Sequence, residues 1–406
     1  MSTLADPGIA TPQLQTPLPP ARDHQPTHAG VEKLHALTGL RFAAAAMIVV
    51  HHARSVFGFL NAPVGDLPLN TGVSFFFVLS GFILAHVYSS LDEPGAVRRF
   101  FSARIARVWP AHLFTFLVVV LLHLGHGMRE TTAVGFANAT MLHAIVPMAG
   151  YYFSFNSVSW SISTEFFFYL AFPFLISRFA KSWWWKMLLS FATVSALLFI
   201  CARFGVAKAA NAAPFQIDRA GLLYISPLAR IAEFILGMTA AQIWKSRLKT
   251  WKGSLWAGTA LEIGVVAICI AGIVGLSSRT ALSHIFGENA AAYLRFAGAA
   301  PAFAMLIAVF ACQRGCLSRF FGTRGLVLLG EISFSVYLLH TIFLERSSKW
   351  LSHLVHSGWS EGWLFAGFWM VLIASAWLVW RGVERPARSL LLRLAHIPWA
   401  SASTRR

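Results

Sequence analysis

The sequence predicts an all-α fold: a polytopic membrane helix bundle of about ten transmembrane helices, with both termini in the cytoplasm. The first observation is composition, since 57% of the 406 residues are hydrophobic and only 12% are charged, with a mean hydropathy of +0.62. A soluble domain could not cover so much apolar surface with so few charges. The second is that the apolar residues form segments long enough to cross a bilayer, and the third is an uneven distribution of basic residues among the loops.

Ten segments are long enough to be spans: 38–58, 72–90, 108–125, 160–178, 186–203, 221–244, 255–277, 290–311, 325–344 and 362–381. A further apolar segment, 131–148, is interrupted by Asn138, His143 and Pro147, so we expect an interfacial or re-entrant piece. The predicted membrane domain is 34–390. It lies between a polar, Pro-rich cytoplasmic tail, 1–33, which we expect to be disordered, and a basic cytoplasmic tail, 391–406.

The basic residues support this topology. With the N-terminus inside, the inner segments carry 23 Lys and Arg and the outer segments carry 8, which is a positive-inside bias. Counting 131–148 as a span would put the later basic loops outside. The net charge of +17 therefore reflects topology and anionic lipid rather than nucleic-acid binding. The four cysteines indicate neither a disulfide framework nor a zinc site, and no metal is expected.

The first predicted span carries a cationic side chain towards each end of its apolar run. Arg41 and His52 are eleven residues apart, so they lie on one helix face about 16 Å apart along the axis. Thr38 is expected to be the N-cap, which would place Arg41 in the first turn beside free backbone N–H groups, where phosphate binds well. The alternative is that Arg41 snorkels to lipid headgroups and His52 only packs.

Several motifs in order resemble those of the acyltransferase-3 family of membrane acyltransferases. The first is Leu37-Thr-Gly-Leu-Arg41 with ten residues before His52, and the next is Gly72-Val-Ser-Phe-Phe-Phe-Val-Leu-Ser80-Gly81-Phe, in which Ser74 stands where the family commonly has Asp. The later motifs are Arg104-x-x-Arg107, Trp160-Ser-Ile-Ser-Thr-Glu165, Arg230-Ile-Ala-Glu233, Gly330-Glu331-Ile-Ser333 through His340, and Glu384-Arg385-Pro386. The likeness covers about residues 34–390 and corresponds to the stand-alone form, without an appended SGNH domain.

The resemblance implies an acyl-coenzyme A donor, most often acetyl-coenzyme A, bound from the cytosol, and a saccharide hydroxyl as the acceptor. Arg41, Arg104 and Arg107 would hold the donor phosphates, and His52 would act as the general base. His52 could deprotonate the hydroxyl or carry the acyl group transiently, and the residues leave both open. Exopolysaccharide, lipopolysaccharide, a lipid-linked oligosaccharide and a macrolide-like metabolite all stay open as acceptors.

Glu165 is expected to share a depth with His52. Helical rise places Glu165 about 7 Å, and His52 about 9 Å, from the outer ends of their predicted spans. Glu165 would then orient His52 or position the acceptor, and the alternative is a structural partner for an arginine. Ser80 and Tyr169 are candidates to stabilise an oxyanion. The candidate substrate-binding residues are Ser80, Trp160, Tyr169 and His340.

Other charged motif residues favour structural roles. Arg230 and Glu233 are three residues apart, so we expect them to pair with each other. Arg98 and Arg99 are expected to be positive-inside anchors. The closing motif at Glu384 is expected to be a structural stop.

Two other classes of function fit a charged cavity among ten spans. One is an exporter of a glycan or small anion, although the repeated halves and paired interrupted helices common in transporters are not visible. The other is a non-catalytic member of a glycan-assembly complex, in which His52 would be dispensable. The preferred prediction is an O-acyltransferase of a bacterial inner membrane, in contact with lipids and a saccharide or glycolipid, and either a homo-oligomer or part of such a complex.

Overall fold

The structure is a computed structural model, and it describes residues 32–124 and 131–395. Almost all of the predicted tail 1–33 and most of the tail 391–406 lie outside these residues. Within them, ten helices are long and apolar enough to cross a membrane. In chain order they are α1 His35–Ala53, α2 Leu69–Val87, α3 Ala96–His123, α4 Ser157–Ile176, α5 Phe179–Arg203, α6 Gly221–Leu248, α7 Leu255–Gly275, α8 Glu288–Phe310, α9 Arg324–His356 and α10 Glu361–Leu394.

The predicted helical bundle with ten spans is therefore confirmed for the described part of the chain, in which no strand is formed. Several spans are composite, with wide π-helical turns at Gly221–Ile225, Trp244–Leu248 and Trp380–Glu384, and with α8 divided into Glu288–Ala297 and Ala300–Phe310. The connections contain the short helices Gly58–Leu60, Asn61–Val64, Thr132–Ala139, His143–Ile145, Ala149–Tyr152, Ala209–Asn211, Arg279–Phe286 and Cys316–Phe321.

Several helix boundaries differ from the predicted ones where hydropathy and helix formation diverge: α5 begins at Phe179 instead of 186, α9 ends at His356 instead of 344 and α10 ends at Leu394 instead of 381. Two further differences are at α1 and α3, which carry candidate site residues. Helix α3 begins at Ala96, twelve residues before the predicted 108, because arginine is a good helix former and continues the helix beyond its apolar part. Helix α1 ends at Ala53 instead of 58. The apolar residues that follow turn away from the helix, and Phe57 is fully buried against Phe365 and Phe368 of α10.

The predicted N-cap of α1 is wrong. The helix begins at His35, so Thr38 lies inside its first turn and Arg41 in its second. The N–H of His35 donates to the side-chain oxygen of Gln313 at 3.0 Å. The helix is thus capped by the side chain of Gln313, which is distant in sequence, and not by the adjacent Thr38. Arg41 consequently does not lie beside the free N–H groups at the helix start.

The segment 131–148 forms no spanning helix, as predicted, and docks on α3. The indole Nε1–H of Trp109 donates to the carbonyl of Ala139 at 3.0 Å, and the imidazole Nε2–H of His112 donates to the carbonyl of Asn138 at 2.8 Å. Burial lowers the pKa of His143 to about 3, so its imidazole is neutral at physiological pH. It lies 3.1 Å from the hydroxyl of Ser159, at the start of α4.

Glycines permit two close helix crossings. Where α2 crosses α6, a Cβ on Gly81 would overlap the carbonyl of Phe234, and one on Gly237 would overlap the carbonyl of Val78. Where α1 meets α9, a Cβ on Gly330 would overlap the carbonyl of Thr38. Small residues that allow two backbones to touch commonly mediate helix association in a bilayer. Burial of apolar side chains contributes little to the free energy of association there, because the lipid tails are also apolar.

Two buried carboxylates have partners nearby, one an arginine and the other a set of backbone N–H groups. Glu233 forms an ion pair with Arg230, with 2.7 Å between Oε2 and Nε, so the predicted pair is confirmed, and another nitrogen of this guanidinium donates to Ser74 at 3.0 Å. Glu262 of α7 accepts the backbone N–H groups of Gly315, Leu317 and Ser318 at 2.9–3.2 Å. It thereby caps the helix Cys316–Phe321, whose N-terminus favours a negative charge.

The contact between α1 and α9 can be tested by adding one methyl group. We expect Gly330→Ala to lower the thermal unfolding midpoint in detergent, because overpacking of this kind typically destabilises by about 1–3 kcal/mol. The matched control is Gly325→Ala on the same helix, where an added Cβ would meet no heavy atom within 4 Å. The control should leave the midpoint unchanged or slightly higher, since alanine favours helix. Equal midpoints for the two variants would contradict the close contact.

Candidate functional site

Helix α1 carries polar side chains towards both faces of the bundle. Its C-terminal end holds His51 and His52, and Arg41 lies in its second turn. Successive spans run in opposite directions, so the loops divide between two faces. We call them the His52 face, where α1 ends, and the Arg41 face, where it begins.

At the His52 end, two imidazoles are in contact. The Nδ1 of His52 lies 2.9 Å from the Nε2 of His340, and the two rings stack with centroids 5.1 Å apart. His340 is fully buried in the middle of α9, and its Nδ1 lies 2.5 Å from the carbonyl oxygen of Tyr337. His52 is only partly buried. The pair therefore has one member accessible and one held within the bundle.

The helix that carries His340 is fixed to the start of α4 by further hydrogen bonds. The hydroxyl of Tyr337 lies 2.7 Å from that of Ser161 and donates to the carbonyl of Val158 at 2.9 Å. The side chain of Asn156 donates to the carbonyl of Leu338 and accepts from Thr341. Because these bonds flank His340 on both sides, the position of its ring is determined by the fold.

Glu165 was predicted to share a depth with His52, but its hydrogen bonds in the structure go to other residues. Its Oε1 accepts hydrogen bonds of 2.7 Å from Ser80 and from Tyr169, and its charge acts on Arg41. The depth argument was wrong because α1 ends at Ala53, which puts His52 in the last turn of the helix instead of about 9 Å below its end. The partner that orients His52 is His340, not Glu165.

The three arginines predicted to bind phosphate come together at the Arg41 face. Among the charged groups near Arg41, Arg107 has the strongest electrostatic effect on it. The carboxylates of Glu384 and Glu165 act on Arg41 with the opposite sign. Arg388 of α10 joins this cluster, because its strongest charged neighbours are Arg107, Arg104 and Glu384. Helices α1, α3 and α10 thus concentrate positive charge around Glu384, the carboxylate that acts on both Arg41 and Arg388.

Sequence reasoning missed two members of this cluster. Glu384 was interpreted as part of a structural stop, yet its carboxylate accepts from the hydroxyl of Ser335 at 3.3 Å and acts on both Arg41 and Arg388. The spacing contained the signal. Glu384 and Arg388 are four residues apart, so they share one face of the last helix.

The remaining candidate residues are mostly enclosed. Trp160 is 3% exposed and packs on Phe77 and Tyr224, and Tyr169 is 2% exposed. His340 supports His52 from within the bundle, whereas Ser80 is only partly buried. Contact of these four side chains with an acceptor stays a prediction.

A second contact at the His52 face was not predicted. The guanidinium of Arg54 lies 2.7 Å from Nδ1 of His51 and also donates to the carbonyl of Gly65. It fixes the loop after α1 next to the histidines.

Comparison with known proteins gives the family. A family model described as an acyltransferase domain matches residues 34–381. The chain is 29% identical over 392 residues to Acyltransferase MdmB of Streptomyces mycarofaciens, a match that covers 89% of this chain and 94% of that protein. It is 25% identical over 408 residues to Nodulation protein 10 of Rhizobium leguminosarum bv. viciae, covering 91% and 96%. No solved structure matches. Since the family model extends over nearly the whole ten-helix bundle, this chain belongs to the acyltransferase-3 family and is a multi-pass membrane acyltransferase.

Proposed function

We propose that this chain is an O-acyltransferase of a bacterial inner membrane, which transfers an acyl group, acetyl in the simplest case, from acyl-coenzyme A to a hydroxyl of a saccharide. The observation that carries the proposal is the arrangement along α1. One helix joins a cluster of arginines at the Arg41 face to a hydrogen-bonded imidazole pair at the other end. Arginines suit phosphates, and an imidazole suits removal of a hydroxyl proton.

The donor would bind with its phosphates at the Arg41 face. Arg41, Arg104, Arg107 and Arg388 supply planar guanidinium groups that can each donate two hydrogen bonds to a phosphate. Glu384 reduces the repulsion among them while the site is empty. Basic loops on this face agree with the predicted cytosolic side, from which coenzyme A is available.

The acyl end of the donor would lie at His52. Eleven residues separate Arg41 from His52, about 16 Å along the helix. The pantetheine arm of coenzyme A would cover this separation by lying along α1. The thioester then reaches the imidazole pair while the phosphates stay at the arginines.

The hydrogen bonds support one assignment of the imidazole protons. A carbonyl oxygen can only accept, so Nδ1 of His340 carries the proton directed at Tyr337. The Nε2 of a neutral His340 is then an acceptor, so the proton between the rings is on Nδ1 of His52. This leaves the lone pair of His52 on Nε2, free to act as a general base.

The transfer is then a balanced exchange. As the acceptor oxygen attacks the thioester carbonyl, Nε2 of His52 takes the hydroxyl proton, and the tetrahedral intermediate collapses with cleavage of the C–S bond. The thiolate of coenzyme A leaves and receives the proton back from His52. The products are the ester and free coenzyme A. His340 would stabilise the imidazolium by accepting its Nδ1–H throughout.

We expect His52→Ala to lower the release of free coenzyme A from acetyl-coenzyme A by a factor of about 10² to 10⁴, the usual contribution of a general base. The assay uses purified protein with crude cell-envelope glycan. His284→Ala, at an exposed histidine of the helix Arg279–Phe286, is the control and should keep wild-type turnover. Full turnover in a folded His52→Ala would remove His52 as the base. Absence of donor binding in the wild type would instead favour a transporter.

The assigned protons can be observed directly. In protein labelled with ¹⁵N-histidine, we expect the His340 ring as the Nδ1–H form and the His52 ring with a proton on Nδ1 and a bare Nε2. His340→Phe removes the acceptor for that proton and should change the His52 nitrogen shifts while His284 stays constant. Protonated Nε2 in His340 at neutral pH would contradict the assignment.

If the arginine cluster holds the donor phosphates, loss of one of its arginines should lower the affinity for coenzyme A. Arg107→Gln and Arg388→Gln should each weaken coenzyme A binding by about tenfold or more, since charged hydrogen bonds contribute about 1.5–3 kcal/mol. The control is Arg98→Gln, an exposed arginine on the same helix as Arg107, which should change the dissociation constant less than twofold. Calorimetry in detergent at two salt concentrations measures this. Equal affinity of all four proteins would place the phosphates elsewhere.

A further inference from the structure

A cavity of about 640 Å³ opens at the His52 face. Its wall is formed by the loop after α1, the segment before α6, the segment after α7 and the beginning of α8. These segments lie on the face opposite the arginine cluster. A cavity of this volume is in the range that holds a small ligand or a sugar unit of a larger one.

The wall carries an excess of positive charge. Its cations are Lys208, Arg219, Arg279 and Arg295, and its carboxylate is Asp66. Glu288 lies close by and pairs with Lys208 at 3.7 Å and with Arg279 at 3.3 Å.

The other two cations are held by neutral groups. Arg219 donates to the amide oxygen of Asn289 at 3.1 Å, and the hydrogen bonds described for Arg295 go to main-chain carbonyls, among them those of Asp66 and Ser277. These bonds orient the guanidinium groups, and the charged group that opposes the charge of Arg295 is the carboxylate of Asp66. Such pre-oriented cations are suited to an anion with planar or tetrahedral oxygens.

An aromatic pair lies beside these cations. The rings of Tyr224 and Phe296, both in the cavity wall, stack with centroids 4.0 Å apart. The Tyr224 ring is also 4.7 Å from that of Trp160. Aromatic faces next to charged groups are the lining expected for a ligand with both an apolar ring face and a charge.

One loop connects the cavity to His51, the residue next to His52. Arg54 binds both His51 and the carbonyl of Gly65, while Arg295 donates to the carbonyl of the next residue, Asp66. The loop that Arg54 ties to His51 is therefore also a wall of the cavity.

We propose that this cavity binds an anionic group, a carboxylate or a phosphate, on the acceptor saccharide. The proposal rests on the proposed function and adds to it the class of acceptor: an acidic sugar or a sugar phosphate instead of a neutral glycan. Arg219 and Arg295 bind the anion, and the aromatic pair supports the sugar ring. The donor phosphates do not compete, because they are assigned to the opposite face.

Binding is measured on the purified full chain, without turnover. The probes are an oligogalacturonate, which carries carboxylates, glucose 1-phosphate, and a neutral malto-oligosaccharide. We expect the wild type to bind one or both anionic probes at least tenfold more tightly than the neutral one. Arg219→Gln should remove most of this preference. Arg203→Gln, an exposed arginine at the end of α5 that packs over Phe204, should retain it. The tighter of the two anionic probes identifies carboxylate or phosphate.

The outcomes separate the two proposals. Equal binding of anionic and neutral probes, or unchanged preference in a folded Arg219→Gln, would overturn the anion site while leaving acyl transfer intact. His52→Ala should bind the anionic probe like the wild type, which supports the cavity independently of catalysis. Anion binding lost in Arg219→Gln from a protein with no acyltransferase activity would keep the site and overturn only the proposed function.

Discussion

The backbone contact between α1 and α9 is the constraint on which the site depends. Gly330 lies against the carbonyl of Thr38, and Gly39 lies against the carbonyl of Phe321 at the same end of α1. Both helices start at the Arg41 face, so a contact near their beginnings determines which residues meet further along. That meeting brings His340 to His52. In a bilayer, apolar side chains gain little by leaving lipid, so such contacts and a few interhelical hydrogen bonds define the arrangement.

In the proposed function, the two faces of the bundle separate incompatible electrostatic requirements. A phosphate site needs concentrated positive charge, as in the cluster of Arg41, Arg107 and Arg388. A general base needs an unprotonated imidazole, which is easier to maintain away from that cluster and next to a neutral partner. Placing the two at opposite ends of one helix satisfies both. The partly buried carboxylates Glu165 and Glu384 both act on Arg41.

The sequence predicted the parts of this protein that depend on local composition. Spans follow from apolar length, and their number was correct within the described residues. Arg104 and Arg107 lie on one side of their helix because they are three residues apart, and the order of the spans places Arg41 at the same end of the bundle. What could not be predicted depends on distant partners: His340, which lies against His52, is 288 residues away, and the cap of α1 comes from Gln313. The early end of α1 was missed because Phe57 is apolar and buried, as a span residue would be, although it lies in the loop after the helix.

The cap of α1 has a consequence for biosynthesis. His35 leaves the ribosome early, but its partner Gln313 is synthesised 278 residues later. At typical rates of about 5–20 residues per second, that is an interval of roughly 15 to 60 seconds. During it, the first span has been made while its opening turn still lacks its permanent acceptor. Helix α1 is thus completed only after the loop between α8 and α9 has been made.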